Sequence, residues 1–215
     1  MINELNLPEK MTENSKIKNI IFDLGGVLID IDFFDPFKQF EQLGWREEVN
    51  FDQLIQHDNF KDFEIGKISA AQFRDFVRSL IKVQINDDDI NRIWNSMLKT
   101  FRKEAIHTIK SIQNNYNLFL YSNTNEIHQI HFENRFIDEF GYSLHDLFNQ
   151  VYYSHEIRQR KPASEGFHQI LNENGLNAQE TLFLDDLREN LSAAEKLGIQ
   201  TNLVTPEYGV DKILL

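Results

Sequence analysis

The sequence predicts an α/β protein: a parallel sheet covered by helices on both faces, interrupted after its first strand by a run of helices. Three observations carry this. Past residue 100, apolar stretches of strand length alternate with segments of helical period, the pattern of parallel strands joined by helical crossovers. The first such stretch, Ile17 to Asp23, is nearly continuously apolar, as strands buried on both faces are. Between residues 35 and 99 Phe, Leu and Ile recur at spacings of three and four, which is a helical rhythm.

Taken in order, residues 1–16 are polar and mixed in charge and read as a flexible N-terminal tail. Ile17 to Asp23 is the first strand. The Gly25-Gly26 turn follows, and Val27 to Ile31 extends again as a hairpin-like excursion. Ser69-Ala70-Ala71-Gln72 has the form of a capping box and starts a helix through Ile81. Asn86, followed by Asp87-Asp88-Asp89, places a cap and negative charge where another helix begins, continuing through Trp94 to Leu98. Beyond residue 100 the expected order is a helix at Lys103–Asn114, a strand at Leu118–Tyr121 and a helix at Glu126–Phe140. A strand at Gln150–Tyr153, a helix at Ala163–Asn174 and a strand at Thr181–Leu184 come next. A helix at Leu187–Leu197 and a last strand at Thr201–Val204 complete the series. The expected organisation is an α/β core from residues 17–34 and 100–215, with a helical subdomain, 35–99, inserted into it.

Composition narrows the function classes. A 41% hydrophobic fraction over 215 residues supplies an ordinary soluble core. Acidic residues outnumber basic ones, 34 to 22, for a net charge of -12, which opposes binding to nucleic-acid phosphates. The absence of cysteine excludes disulfides, thiolate metal sites and cysteine nucleophiles. No apolar run approaches the ~20 residues that span a bilayer, and Met1 to Lys18 lacks the apolar centre of a signal peptide. A cytoplasmic protein is expected, a monomer or homodimer with no nucleic-acid or membrane partner.

In open α/β sheets ligands bind beyond the C-terminal ends of the strands. Four clusters fall there: Asp23, then Ser122-Asn123-Thr124-Asn125, then Arg160-Lys161-Pro162 ahead of a helix, then Asp185-Asp186. Each has an ordinary reading as a turn residue, helix cap or solvated lysine. Together they bring a carboxylate nucleophile, hydroxyl and amide donors, a cation and a second acidic group to one sheet edge. That set serves phosphoryl transfer, in which a carboxylate attacks phosphorus and the protein stabilises charge on the transferring oxygens. Asp23 and Asp186 would repel one another without a hard cation between them, and Mg²⁺ is the expected cofactor.

In their order and composition these segments resemble the four motifs of the haloacid dehalogenase superfamily. They are Phe22-Asp23-Leu24-Gly25-Gly26-Val27-Leu28, Tyr121-Ser122-Asn123-Thr124-Asn125, Arg160-Lys161-Pro162 and Phe183-Leu184-Asp185-Asp186-Leu187-Arg188-Glu189-Asn190. The resemblance implies a three-layer α/β/α Rossmann-like core with a helical cap inserted after the first motif. On Glu64-Ile65-Gly66-Lys67-Ile68-Ser69 and the motif details, the chain looks most like bacterial α-D-glucose-1-phosphate phosphatase and the phosphatase half of soluble epoxide hydrolases. The implied roles are a nucleophile and metal ligand at Asp23, a backbone carbonyl ligand at Gly25 and an acidic ligand at Asp186. Asp185 would stand behind the metal, Ser122, Asn123 and Lys161 would hold phosphate, and Lys161 would also bridge to the nucleophile. Asn190 falls where many members carry a further acid.

Position 25 departs from the phosphatase pattern, which has an Asp there to protonate the leaving group and activate water. Gly25 does neither, so substrates that leave unaided are expected: sugar 1-phosphates, aryl phosphates and acyl phosphates. His57, Asp58 and Lys61 are candidates to replace the missing acid, and Phe60, Phe63 and Trp94 to line an entrance. His128 and His131 share a helix face without the spacing of a zinc site. Two alternatives remain open: a 2-haloacid dehalogenase that needs no metal, and a phospho-ligand binder whose catalysis lapsed with Gly25.

Overall fold

The computed structural model describes residues 17–46 and 57–214, so the tail expected at 1–16 lies outside the described residues. The first half contains β1 (Asn19–Phe22), β2 (Ile29–Ile31), α1 (Phe34–Gln42), α2 (Asp58–Glu64), α3 (Ala70–Leu80), α4 (Asp87–Asn95) and β3 (Leu98–Phe101). The second half alternates: α5 (Lys103–Ile112), β4 (Asn117–Ser122), α6 (Glu126–Phe140), β5 (Gln150–Tyr153) and α7 (Ser154–Ile157). It ends with α8 (Ser164–Glu173), β6 (Thr181–Asp185), α9 (Arg188–Glu195), β7 (Gln200–Leu203) and α10 (Val210–Leu214).

The predicted fold class is correct. Five strands form a parallel sheet in the order β5-β4-β1-β6-β7, with β1 at the centre. Alternation along the strands divides their side chains between two faces. Ile20, Phe22, Leu118, Leu120 and Leu184 pack against Ile106 and Ile109 of α5 and Phe132 and Phe136 of α6. Ile21, Phe119, Tyr121 and Phe183 pack on the other face against Phe167 and Ile170 of α8 and Leu191 of α9. Each such side chain, once buried, contributes roughly 1.5–3 kcal/mol, which explains why the central strands read as continuous apolar runs.

Register does the functional work. Phe22 pairs with Leu120 on one side and Leu184 on the other, so Asp23, Tyr121 and Asp185 emerge level at one sheet edge. The Asp23 N–H still donates to the Leu184 carbonyl at 2.9 Å, which fixes the carboxylate at the last bonded position of the strand.

The helices between residues 34 and 95 have a hydrophobic cluster of their own: Phe40, Phe63, Phe73, Val77, Ile90 and Ile93, joined by Ile127 of α6. The capping box at Ser69 and Gln72 is formed, and the Asn86 side chain accepts from the Asp89 N–H at 2.8 Å. Phe63 stacks on Phe73 with ring centroids 4.4 Å apart, and Trp94 lies 5.4 Å from Phe60. Phe60, Phe63 and Trp94, considered from the sequence as lining for an entrance, therefore pack within this cluster.

One stretch differs from the sequence reading. Helix α4 stops at Asn95, and Leu98–Phe101 forms β3, antiparallel to β2. In β3 Leu98 and Phe101 are buried while Lys99 and Thr100 face outward. Asp30 of β2 accepts from Thr100 Oγ1 at 3.1 Å and from Arg102 Nε at 2.7 Å. The excursion after the Gly-Gly turn thus finds its partner across the whole helical segment, not within its own turn. The short helices α7 and α10 were also absent from the sequence reading.

Candidate active site

Asp23 stands at the end of β1 and is 7% exposed. Lys161, 1% exposed, reaches it from the loop before α8, with Nζ 2.7 Å from Asp23 Oδ1 and 2.8 Å from Asp185 Oδ2. The ammonium also lies 5.4 Å from the centroid of the Tyr121 ring and 5.3 Å from that of Phe183, two more groups that favour a cation there. Burial alone would depress the Lys161 pKa, but Asp23 and Asp185 offset it and hold the group above its ordinary value. Burial raises Asp23 to about 7; Lys161 opposes this, while Asp185 and Asp186 add repulsion.

Asp185 is fully buried, and both its oxygens are engaged. Oδ1 accepts from the Leu187 N–H at 2.8 Å and Asn190 Nδ2 at 3.0 Å; Oδ2 accepts from Lys161 and again from Asn190 at 3.0 Å. It is the fixed base of the cluster, with Asn190 supplying a neutral donor. Asp186, by contrast, faces solvent. Its pKa is raised by partial burial and by Asp185, with Lys161 opposing.

The two glycines after Asp23 differ in kind. Gly26 has φ +67°, and a Cβ there would fall 2.1 Å from Asp186 Oδ2, so glycine is needed both for the turn and for the carboxylate beside it. Gly25 is not in the left-handed region. A Cβ at position 25 would meet only the Ile31 side chain, at 3.3 Å from Cγ1 and 3.7 Å from Cδ1. The side-chain direction at position 25 is therefore closed by an isoleucine.

Asp23, Asp185 and Asp186 offer carboxylate oxygens all within 4.8 Å of one another, and no other such group of three occurs among the described residues. Clustered hard oxygen donors with excess negative charge suit Mg²⁺. The space left by Gly26 beside Asp186 Oδ2 fits the same reading. His128 and His131 form no such group. His128 is buried, stacks on Trp94 at 5.0 Å, and donates from Nδ1 to Asn95 Oδ1 at 2.9 Å. Burial lowers its pKa to about 3, so it packs as a neutral ring.

Ser122 is buried at the end of β4. The Asn123 amide, read from the sequence as a phosphate contact, is turned to the Lys161 main chain. Its Oδ1 accepts from the Lys161 N–H and its Nδ2 donates to the Lys161 carbonyl, each at 2.9 Å. It fixes the loop that carries the lysine.

Sequence reasoning missed two supports. Ser154, fully buried, accepts from the Thr124 N–H at 2.9 Å and donates to the Glu64 carbonyl at 2.6 Å, tying the loop after β4 to the end of α2. Beside it, a Cβ on Gly66 (φ +63°) would strike the His155 carbonyl at 2.1 Å. Gly166 of α8 makes room for the Tyr121 hydroxyl, which a Cβ would meet at 2.0 Å. A serine directly after a strand and a glycine inside a helix were the available signals. Glu64 pairs with Arg160 at 2.9 Å; burial raises its pKa and Arg160 opposes. His57, weighed as a replacement acid, accepts the Asn59 N–H at 3.2 Å as a helix cap and stacks on Phe76. The charges acting most on Asp23 are Lys161, Asp185 and Asp186, not Asp58 or Lys61 of α2.

The chain is similar to known proteins over most of its length. The chain is 30% identical over 196 residues to a D-ribitol-5-phosphate phosphatase of Bacteroides thetaiotaomicron, covering 91% of this chain and 94% of that one. A HAD family enzyme of the same organism, solved as a magnesium complex, superposes with a TM-score of 0.82 at 30% identity, over 88% of this chain and 94% of the other. With magnesium and inorganic phosphate it gives 0.78 at 31% identity and the same coverage. A HAD-like hydrolase of Porphyromonas gingivalis gives 0.78 at 30% identity, over 87% and 91%. The haloacid dehalogenase-like hydrolase family matches residues 17–198, and the chain belongs to it.

Proposed function

We propose that this protein is a Mg²⁺-dependent phosphatase of a small phosphorylated metabolite, with Asp23 as the phosphoryl acceptor. The carrying observation is the buried Lys161 ammonium bonded to both Asp23 and Asp185, beside a third carboxylate. Asp23 and Asp186, with the Gly25 carbonyl, would hold the metal, and Asp185 would support them from behind. Mg²⁺, when bound, neutralises charge on the phosphoryl oxygens and between the carboxylates.

In the first step an Asp23 oxygen attacks phosphorus, and the bond to the leaving oxygen breaks. Lys161 holds the nucleophile in place and offers its charge to the transferring group. The Ser122 hydroxyl and the backbone of the loop it opens would receive the equatorial oxygens. In the second step water attacks the aspartyl phosphate and the Asp23 carboxylate departs. The helices of residues 35–99 would act as a cap over this sheet edge, excluding water. Ser154, Glu64 and Arg160 form their seam with the core.

For substrate, the curated relative acts on D-ribitol 5-phosphate, not on glucose 1-phosphate as the narrower resemblance implied. A phosphorylated sugar or polyol is the class we favour. Gly25 further favours leaving groups that need no proton, anomeric, aryl or acyl. The test is phosphate release from a panel of sugar, polyol, nucleotide, aryl and acyl phosphates, with and without Mg²⁺. Metal-dependent release supports the reading, and faster release from hexose 6-phosphates than from 1-phosphates and aryl phosphates removes the leaving-group part. Chloride release from 2-chloropropionate without metal would move the chain to the dehalogenases.

A further inference from the structure

We propose that this chain stores its aspartyl phosphate: acyl phosphates load Asp23 quickly, and the phosphoenzyme then persists because no side chain takes the proton from the attacking water. This rests on the phosphatase reading above and concerns the balance of its two steps.

In loading from an acyl phosphate, a bond forms between an Asp23 oxygen and phosphorus while the bond from phosphorus to the donor's carboxylate oxygen breaks. The donor departs as a carboxylate with the electron pair, so no proton is required. In unloading, a water oxygen bonds to phosphorus and the Asp23 oxygen departs as carboxylate. That departure needs no proton either, but the water must lose one. The loading step is therefore indifferent to a general acid and base, and the unloading step is not.

Among the described residues, the polar side chains that act most on Asp23, and Glu64 and His57 of the helical segment, are already engaged or fall in the proposed metal site. In the direction of position 25 stands the Ile31 side chain, 3.3 Å from where a Cβ would lie, so hydrocarbon fills that approach. Lys161 is bonded to two carboxylates, and Asp185 accepts from Lys161, Asn190 and the Leu187 N–H. Asp186 is a ligand in the proposed metal site. From the helical segment, Glu64 is paired with Arg160 and His57 caps its own helix. Four of these five polar groups have a partner in the structure, and the fifth has one once metal binds.

The experiment uses the full chain with Mg²⁺ and acetyl phosphate as donor, followed by quenching, intact mass measurement and peptide mapping. The expected result is near-stoichiometric addition of one phosphoryl group at Asp23, and a burst of acetate release ahead of slower phosphate release. After the donor is removed, the adduct should decay slowly. Gly25→Asp, whose new side chain needs Ile31 to give way at Cγ1, should shorten that lifetime by ~10²–10⁴-fold. Asp23→Asn should carry no adduct. If the variant Gly25→Asp fails to fold, the burst in the unaltered chain still decides. Linear phosphate release with no burst and no detectable adduct, yet abolished by Asp23→Asn, overturns the proposal and leaves the phosphatase reading standing. No adduct and no phosphate release from any donor in the panel removes both.

Discussion

Replacing Lys161 by Met removes the one cation among the described residues that touches Asp23 and Asp185, while keeping the length of the side chain. Both carboxylates are buried, so the variant leaves two acids facing each other with only neutral donors, Asn190 and the Leu187 N–H, on Asp185. Breaking a buried pair by removing one partner costs about 3–5 kcal/mol. At ~2–4 °C per kcal/mol for a domain of this size, the melting temperature should fall by roughly 6–20 °C. The loss should depend on pH. Burial already raises Asp23 in the folded chain from 3.8 to about 7, and Lys161 is the strongest influence opposing that rise. Without the lysine the folded value rises further above the unfolded one. A group raised in this way supports folding while protonated and loses that support as pH climbs through its folded value. Urea unfolding of the metal-free variant should therefore show its largest deficit near pH 8 and a smaller one near pH 5. A deficit below about 1 kcal/mol, the range of exposed pairs, or one independent of pH, would refute the assignment of Lys161 as compensating charge.

Three further expectations follow from the same geometry. Gly26→Ala places a methyl on Asp186 and forces alanine into φ +67°; strain of about 1–3 kcal/mol and loss of the Mg²⁺-induced rise in melting temperature are expected by calorimetry. Protons and metal compete for Asp23, whose metal-free pKa is about 7, so stabilisation by Mg²⁺ should grow as pH rises from about 6 to 8. A shift of equal size at both ends would contradict this. Ser154→Ala strands the Thr124 N–H and the Glu64 carbonyl. It should cost about 1–3 kcal/mol by denaturant titration; an effect indistinguishable from zero would mean the seam with the helical segment is not held there.

The sheet was legible because its central strands are buried on both faces. Ile20 to Phe22, Leu118 to Tyr121 and Leu182 to Leu184 have no polar face to blur them. Helix α6 was found at its observed bounds, since Asn125 caps it and Gly141 ends it at φ +79°. Strand β3 was not found. Its reason to be a strand is β2, whose Asp30 contacts Thr100 and Arg102 some 70 residues away in sequence, and a local window sees only the end of a helix. Within the site, the charged groups could be anticipated because strand ends collect them. Orientation could not: nothing local says that the Asn123 amide turns to the Lys161 main chain, or that Ile31 closes the space beside Gly25. The two glycines look alike in sequence, and the left-handed turn at Gly26 together with the position of Asp186 separates the one that must be glycine from the one that need not be.

The central claim is that Asp23 accepts the phosphoryl group, and its most direct test compares the unaltered chain with Asp23→Asn on the best phosphoester found, at saturating Mg²⁺. Asparagine keeps the shape of the side chain and removes the nucleophilic oxygen. Phosphate release at the uncatalysed background is expected in the variant, whatever the leaving group. Release within about tenfold of the unaltered rate, a barrier difference of only ~1.4 kcal/mol, would contradict it.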